Sequence, residues 1–165
     1  TGAFQVATLC PALPYGLFDC EVSHATKEQK ANGKVVFDGI VEMAKGNIAH
    51  GVPVGLGTDT ACPFVTQYDM WRELDFYGKY CGVSNAFALY TGTLLNATLA
   101  GVGDVTGSIE VGKCADMIVT KKNPLDNLSV LRHVQMVVKD GVVYDHPQVK
   151  KIPEVEAEMD KFNRV

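Results

Sequence analysis

The sequence carries no excess of basic charge: 15 Lys and Arg stand against 19 Asp and Glu, a formal net charge of −4. Such a surface lacks the cationic field that neutralises phosphates or anionic headgroups, so neither nucleic acid nor membrane is an expected partner. No apolar run approaches the ~18 residues of a spanning helix, and the first residues lack a basic start followed by an apolar block. The expected compartment is the cytoplasm. Cysteine gives no framework: five residues, Cys10, Cys20, Cys62, Cys81 and Cys114, are an odd number without a C-x-x-C pair. They read as reduced thiols packed as small hydrophobes, with Cys62 set apart only because it follows closely on the motif discussed below. Gly55, Gly57, Gly107 and Gly112 do not form a G-x-G-x-x-G opening a helix, which removes support for a dinucleotide site. Internal repeats and low-complexity tracts are also missing.

What remains is 165 residues that are 47% hydrophobic and 21% charged, enough apolar material for the core of one soluble domain. "AFQVATLCPALP" reads as a strand stopped by Pro11 and Pro14, followed by a loop through "YGLFDCEVSHA". "KVVFDGIVEMAKGNIAHG" sets Val36, Ile40, Val41, Ala44 and Ile48 at helical spacing, with Gly51 as a stop. "VPVGLGTD" is then a short, almost wholly apolar strand of the kind buried in a parallel sheet. Together these three make a strand–helix–strand crossover.

An amphipathic helix is predicted up to Gly82, and one or two more from the N-cap Ser84 to Gly101. Near residue 104 the character changes. "GKCADMIVTKKNP" contains a short strand, and "VQMVVKDGVVYD" is a hairpin in which Gly141 supplies a positive φ. "PEVEAEMDKFNRV" offers Pro153 at a helix start and reads as a solvated charged helix. The expected fold class is thus α/β, with antiparallel β at the C-terminal side.

The order of "GVPVGLGTDT", "TGTLLNATLAGVGDVTGSIEVGKCADMIVTKKNPL" and "VQMVVKDGVVY" resembles the C-terminal part of the metal-dependent amidohydrolase superfamily, particularly its prolidase-like and imidazolonepropionase-like members. The resemblance implies that residues 1–104 are the last strands and helices of a (β/α)8 barrel. Residues 105–150 would then be part of a small β-sandwich, and 151–165 a terminal helix or tail. It also explains why an apolar strand would end at Asp59: barrel active sites lie where strands finish. By this analogy Asp59 touches the metal, takes a proton from metal-bound water and passes it to the leaving nitrogen of an amide, dipeptide-like or cyclic. Without the resemblance, Asp59 is a turn or N-cap aspartate.

Thr58 and Thr60 either orient that carboxylate or merely form the turn. Tyr15 and His24, on one predicted loop at the same rim, are candidates to touch substrate, with a packed aromatic and a solvated histidine as the plain alternatives. His50 suits a helix C-terminus, and His133 and His146 carry no ligand role. Family members carry an H-x-H pair on the first strand, a carboxylated lysine or glutamate on the fourth and histidines on the fifth and sixth; none of these is present. A hydrolytic zinc site needs three protein ligands, and this chain offers one. The expectation is a fragment of a longer zinc enzyme, inactive alone, whose open barrel edge is covered by the missing N-terminal part or by another copy. The alternative is a structural or association module without chemistry.

Overall fold

A computed structural model describes residues 2–164. Strand β1 (Gln5–Ala7) pairs in parallel with β2 (Val54–Leu56), in the register Gln5 to Val54 and Ala7 to Leu56. Between them run α1 (Ala12–Leu17), α2 (Cys20–Ser23) and the long α3 (Lys27–Ala49). The crossover read from the sequence is present, but the segment between β1 and α3 is not the loop predicted there. Pro14 sits in the first turn of α1, where its missing N–H costs nothing. Leu13, Pro14 and Gly16 are buried. A Cβ at Gly33 on α3 would lie 2.6 Å from the Tyr15 carbonyl carbon, so only glycine lets α1 press this closely on α3.

Helix α3 also begins earlier than its apolar spacing indicates. Thr26 and Gln29 form a reciprocal capping box, with Thr26 Oγ1 accepting from Gln29 N at 3.1 Å and Gln29 Oε1 accepting from Thr26 N at 2.8 Å. Phe37, Val41 and Ala44 are its buried face, whereas Val36 is exposed. His50 closes the helix, its Nδ1 within 2.7 Å of the Gly46 carbonyl.

After β2 come α4 (Met70–Phe76), which continues as a π-helical turn (Tyr77–Cys81) to the left-handed Gly82. Helix α5 (Asn85–Tyr90) follows, capped by the Ser84 hydroxyl, and a second π-helical turn (Thr91–Leu95) leads into α6 (Asn96–Leu99). A three-stranded antiparallel sheet then forms from β3 (Met117–Thr120), β4 (Val134–Lys139) and β5 (Val142–Asp145). Asp140 and Gly141 join the last two with φ of 51° and 78°, the positive values a two-residue hairpin turn requires. Much of this sheet stays open: Ile118, Val119, Val142, Val143 and Tyr144 are exposed.

The C-terminal helix α7 (Pro153–Asp160) is not the solvated helix predicted from its charge. It packs back on α4 through a buried ionic cluster. Arg72, 0% exposed, pairs with Asp69 (3.1 Å), Glu156 (3.1 Å) and Asp160 (2.8 Å), and donates to Asn163 Oδ1 at 2.5 Å. Arg132 joins the same carboxylates of Glu156 and Asp160. Burial works against ionisation of Glu156. Its hydrogen bond with Asp69 and the guanidiniums of Arg132 and Arg72 overcome this and hold its carboxyl down at about 2. Asp69, which burial and the bond to Glu156 push upward, takes the opposite direction. Beyond the helix, Phe162 stacks on Phe18 with centroids 5.1 Å apart, so the tail completes the core around β1, β2 and α3.

Candidate functional site

The carboxyl ends of β1 and β2 lie side by side. Gly57 N donates to Ala7 O at 3.3 Å, and a Cβ on Gly57 would meet the Thr8 methyl at 3.0 Å. Two residues on, Asp59 stands exposed with φ 51°. Ala61 (φ 88°) and Phe64 (φ 65°) are also left-handed, so this short turn holds three non-glycine residues in a region that costs each about 1–3 kcal/mol. Cys62 N donating to Asp59 O at 3.2 Å and Val65 N donating to Cys62 O at 3.0 Å hold it in shape.

The Cys62 thiol also donates to Asp59 Oδ2 at 3.3 Å, a bond that pushes the thiol's own pKa up. Thr58 and Thr60 do not orient the carboxylate: their hydroxyls bond each other at 2.8 Å. Thus Thr58, Asp59, Thr60 and Cys62 are gathered in one turn. Tyr15 is separate, on α1, lining an open cavity of about 430 Å³ with Thr8, Gln29, Asn32, Val36 and Ile40. His24 does not share Tyr15's element. It closes α2, exposed and left-handed. Among the described residues no group of three or more His, Cys, Asp or Glu side chains is placed to hold a metal ion. Asp59 is a single donor, and these residues by themselves do not make up a metal site.

Two further side chains shape the strand ends and went unnoticed in the sequence. Glu73 of α4, 0% exposed, accepts from Leu9 N at 2.6 Å and Cys10 N at 2.8 Å, the two amides just past β1. Burial raises its carboxyl from 4.5 to about 7 in spite of the bonds from the Cys10 thiol and both amides. On the far side of β2, the Asn96 side chain accepts from Leu56 N and donates to Leu56 O, both at 2.9 Å. The only available cue to Glu73 was a carboxylate set between Trp71, Leu74 and Phe76 in a helix otherwise facing the core.

Parallel strands that deliver a carboxylate to an open rim make this an α/β scaffold, and comparison with known proteins gives it a family. The model of the Amidohydrolase family matches residues 22–144, and the chain belongs to that family. Ochratoxinase of Aspergillus niger is 31% identical over 129 residues, which are 74% of this chain and 26% of that protein. Among solved structures, a prolidase-like protein of Bifidobacterium longum is 40% identical, with a TM-score of 0.91 over 94% of this chain and 38% of its own. A Xaa-Pro dipeptidase with methionine bound in its active site is 30% identical, with a TM-score of 0.71 over 87% of this chain and 35% of that one. The chain spans about a quarter to two fifths of the lengths of these relatives. No described helix is long and apolar enough to cross a membrane.

Proposed function

We propose that the chain is the C-terminal segment of a hydrolase that cleaves a C–N bond in a dipeptide-like or cyclic amide, with Asp59 carrying the proton. Residues 1–104 are read as the last part of a (β/α)8 barrel, 105–150 as a sandwich segment and 151–165 as the tail. The observation that carries this reading is Asp59 itself: a carboxylate on a strained turn directly after a buried parallel strand, exposed at the end where such folds place chemistry. There Asp59 accepts a proton from the attacking water and returns it to the leaving nitrogen. Tyr15, His24, Thr58 and Thr60 stand as substrate-side candidates, Tyr15 through the cavity it shares with Thr8.

The cofactor proposed for the complete site is a divalent metal, zinc, which supplies Lewis-acid activation. Asp59 is one donor to it, and the remaining ligands come from residues outside this segment. The partner is either the preceding part of the polypeptide or another copy covering Phe4 and Val6, half-exposed beside the open edge of β1. An association module without chemistry is the reading those exposed edges favour if Asp59 is dispensable. The test is hydrolysis of Xaa-Pro dipeptides and N-acyl amino acids by the complete polypeptide, together with metal content. Asp59→Asn is expected to abolish turnover while leaving the fold intact; undiminished turnover by this variant overturns the proposal.

A further inference from the structure

Strand β2 is three residues long, yet its exit is held more firmly than its length warrants. Pro53 O and Gly57 N bond β1, so by the alternation of a strand the N–H and C=O of Leu56 point to the opposite, open edge. No strand meets them there among the described residues. The Asn96 side chain does: its oxygen takes the Leu56 N–H and its amide nitrogen gives to the Leu56 carbonyl. One donor and one acceptor, both used on one residue, are the bonds a neighbouring strand would make. Flipping the amide would set like against like, so the pair of bonds defines its orientation.

A second observation shows that the chain makes room for this contact. A Cβ on Gly55 would lie 2.7 Å from Asn96 Oδ1 and 2.9 Å from Leu99 Cδ1, closer than real contacts allow, so with any larger residue before Leu56 both side chains must shift and the amide leaves the strand.

We infer that Asn96 is a positioning residue: it takes the place of a ladder partner at Leu56 and fixes the point from which the Gly57–Asp59 turn leaves. Only Gly57 and Thr58 separate Leu56 from Asp59, so rotation of the strand end moves the carboxylate. A displacement of about 1 Å at a reacting group can cost roughly 100-fold in rate. A strand added to this edge pairs through Val54 and not through Leu56. The kinetic part of this inference rests on the reading of Asp59 given above; the structural part does not.

The experiment compares Asn96→Ala, Asn96→Asp, Gly55→Ala and the Gly55→Ala/Asn96→Ala double variant in the complete polypeptide, with Asp59→Asn alongside. Amide hydrogen exchange at Leu56 is expected to speed up about tenfold in Asn96→Ala. With an Xaa-Pro dipeptide, kcat is expected to fall at least tenfold with KM within about threefold. Gly55→Ala should reproduce these losses, and the double variant should lose less than the sum of the two single ones, because both act on the same amide. In Asn96→Asp the ionised carboxylate faces the Leu56 carbonyl, whereas its acid form donates to it as the amide does. Near neutral pH its kcat should therefore be no better than that of Asn96→Ala. Unchanged Leu56 exchange in Asn96→Ala, or fully additive losses in the double variant, overturn the inference. Undiminished activity in Asp59→Asn sinks the functional reading instead, and the exchange result then still decides whether Asn96 holds the strand.

Discussion

Glu73 makes the sharpest prediction, because two effects of opposite sign meet in one buried carboxylate. Two backbone amides and a thiol favour the anion, while complete exclusion from water favours the acid. The balance places its folded pKa at about 7 against an ordinary value of 4.5. At about 1.4 kcal/mol per decade of proton affinity, this corresponds to about 3 kcal/mol. For an acid whose pKa is raised on folding, the native state binds the proton more tightly than the unfolded chain. The stabilisation is therefore full below pH 4.5 and is lost as pH rises through about 7.

The assay is urea denaturation of wild type and Glu73→Gln at steps between about pH 4.5 and 8, spanning the two values. Glutamine keeps the shape but sets an NH2 group against one amide, so the variant starts less stable by about 1–3 kcal/mol at acid pH. Its stability should then lack the wild type's decline, and the two curves should converge or cross near neutrality. Contributions common to both proteins cancel in the difference. A difference curve that is flat, or that shows wild type gaining stability with rising pH, would mean that the amides outweigh desolvation and would refute this account of Glu73.

The ionic cluster and the tight helix contact give the remaining predictions. Arg72→Ala leaves the buried Asp69 without its guanidinium, and Glu156 and Asp160 with Arg132 alone, and should cost about 3–5 kcal/mol, read by urea midpoint; Arg72→Lys, which cannot span all three, should recover less than half. Glu156, held at about 2 by Asp69, Arg132 and Arg72 against the cost of burial, contributes stability that is full above 4.5 and is lost as pH falls from 4.5 towards about 2. Trp71, the single tryptophan, lies under both Arg72 and Arg132. Its fluorescence should report release of α7 on acidification, at a higher pH in Arg132→Ala than in wild type. Gly33→Ala drives a methyl to 2.6 Å from the Tyr15 backbone and should destabilise by about 1–3 kcal/mol, with a lowered Tm, whereas Gly39→Ala on the same helix, which meets nothing, should be neutral or stabilising.

The local devices of the fold were legible in the residues. The apolar "VPVGLG" run became β2, Ser84 caps its helix, and Asp140–Gly141 makes the hairpin turn, because each depends on the chemistry of a few neighbours. Family membership and the place of Asp59 at a strand end were legible for the same reason, since the motif is contiguous. The capping box at Thr26 was equally local and could have been read; attention to apolar spacing alone set the helix start too late.

Tertiary structure decided what no window of sequence contains. Glu73 reaches amides 64 and 63 residues away, Asn96 grips a strand 40 residues back, and Arg72 bonds Asn163 across 91 residues. A polar side chain is costly when buried alone and favourable when fully paired, so its role is undefined until its partners arrive. That is why a helix as charged as "PEVEAEMD" reads as solvated in sequence, yet in the fold buries one face through Glu156 and Met159. It is also why Pro14, a stop signal in isolation, sits inside a helix once α3 offers Gly33 to pack against.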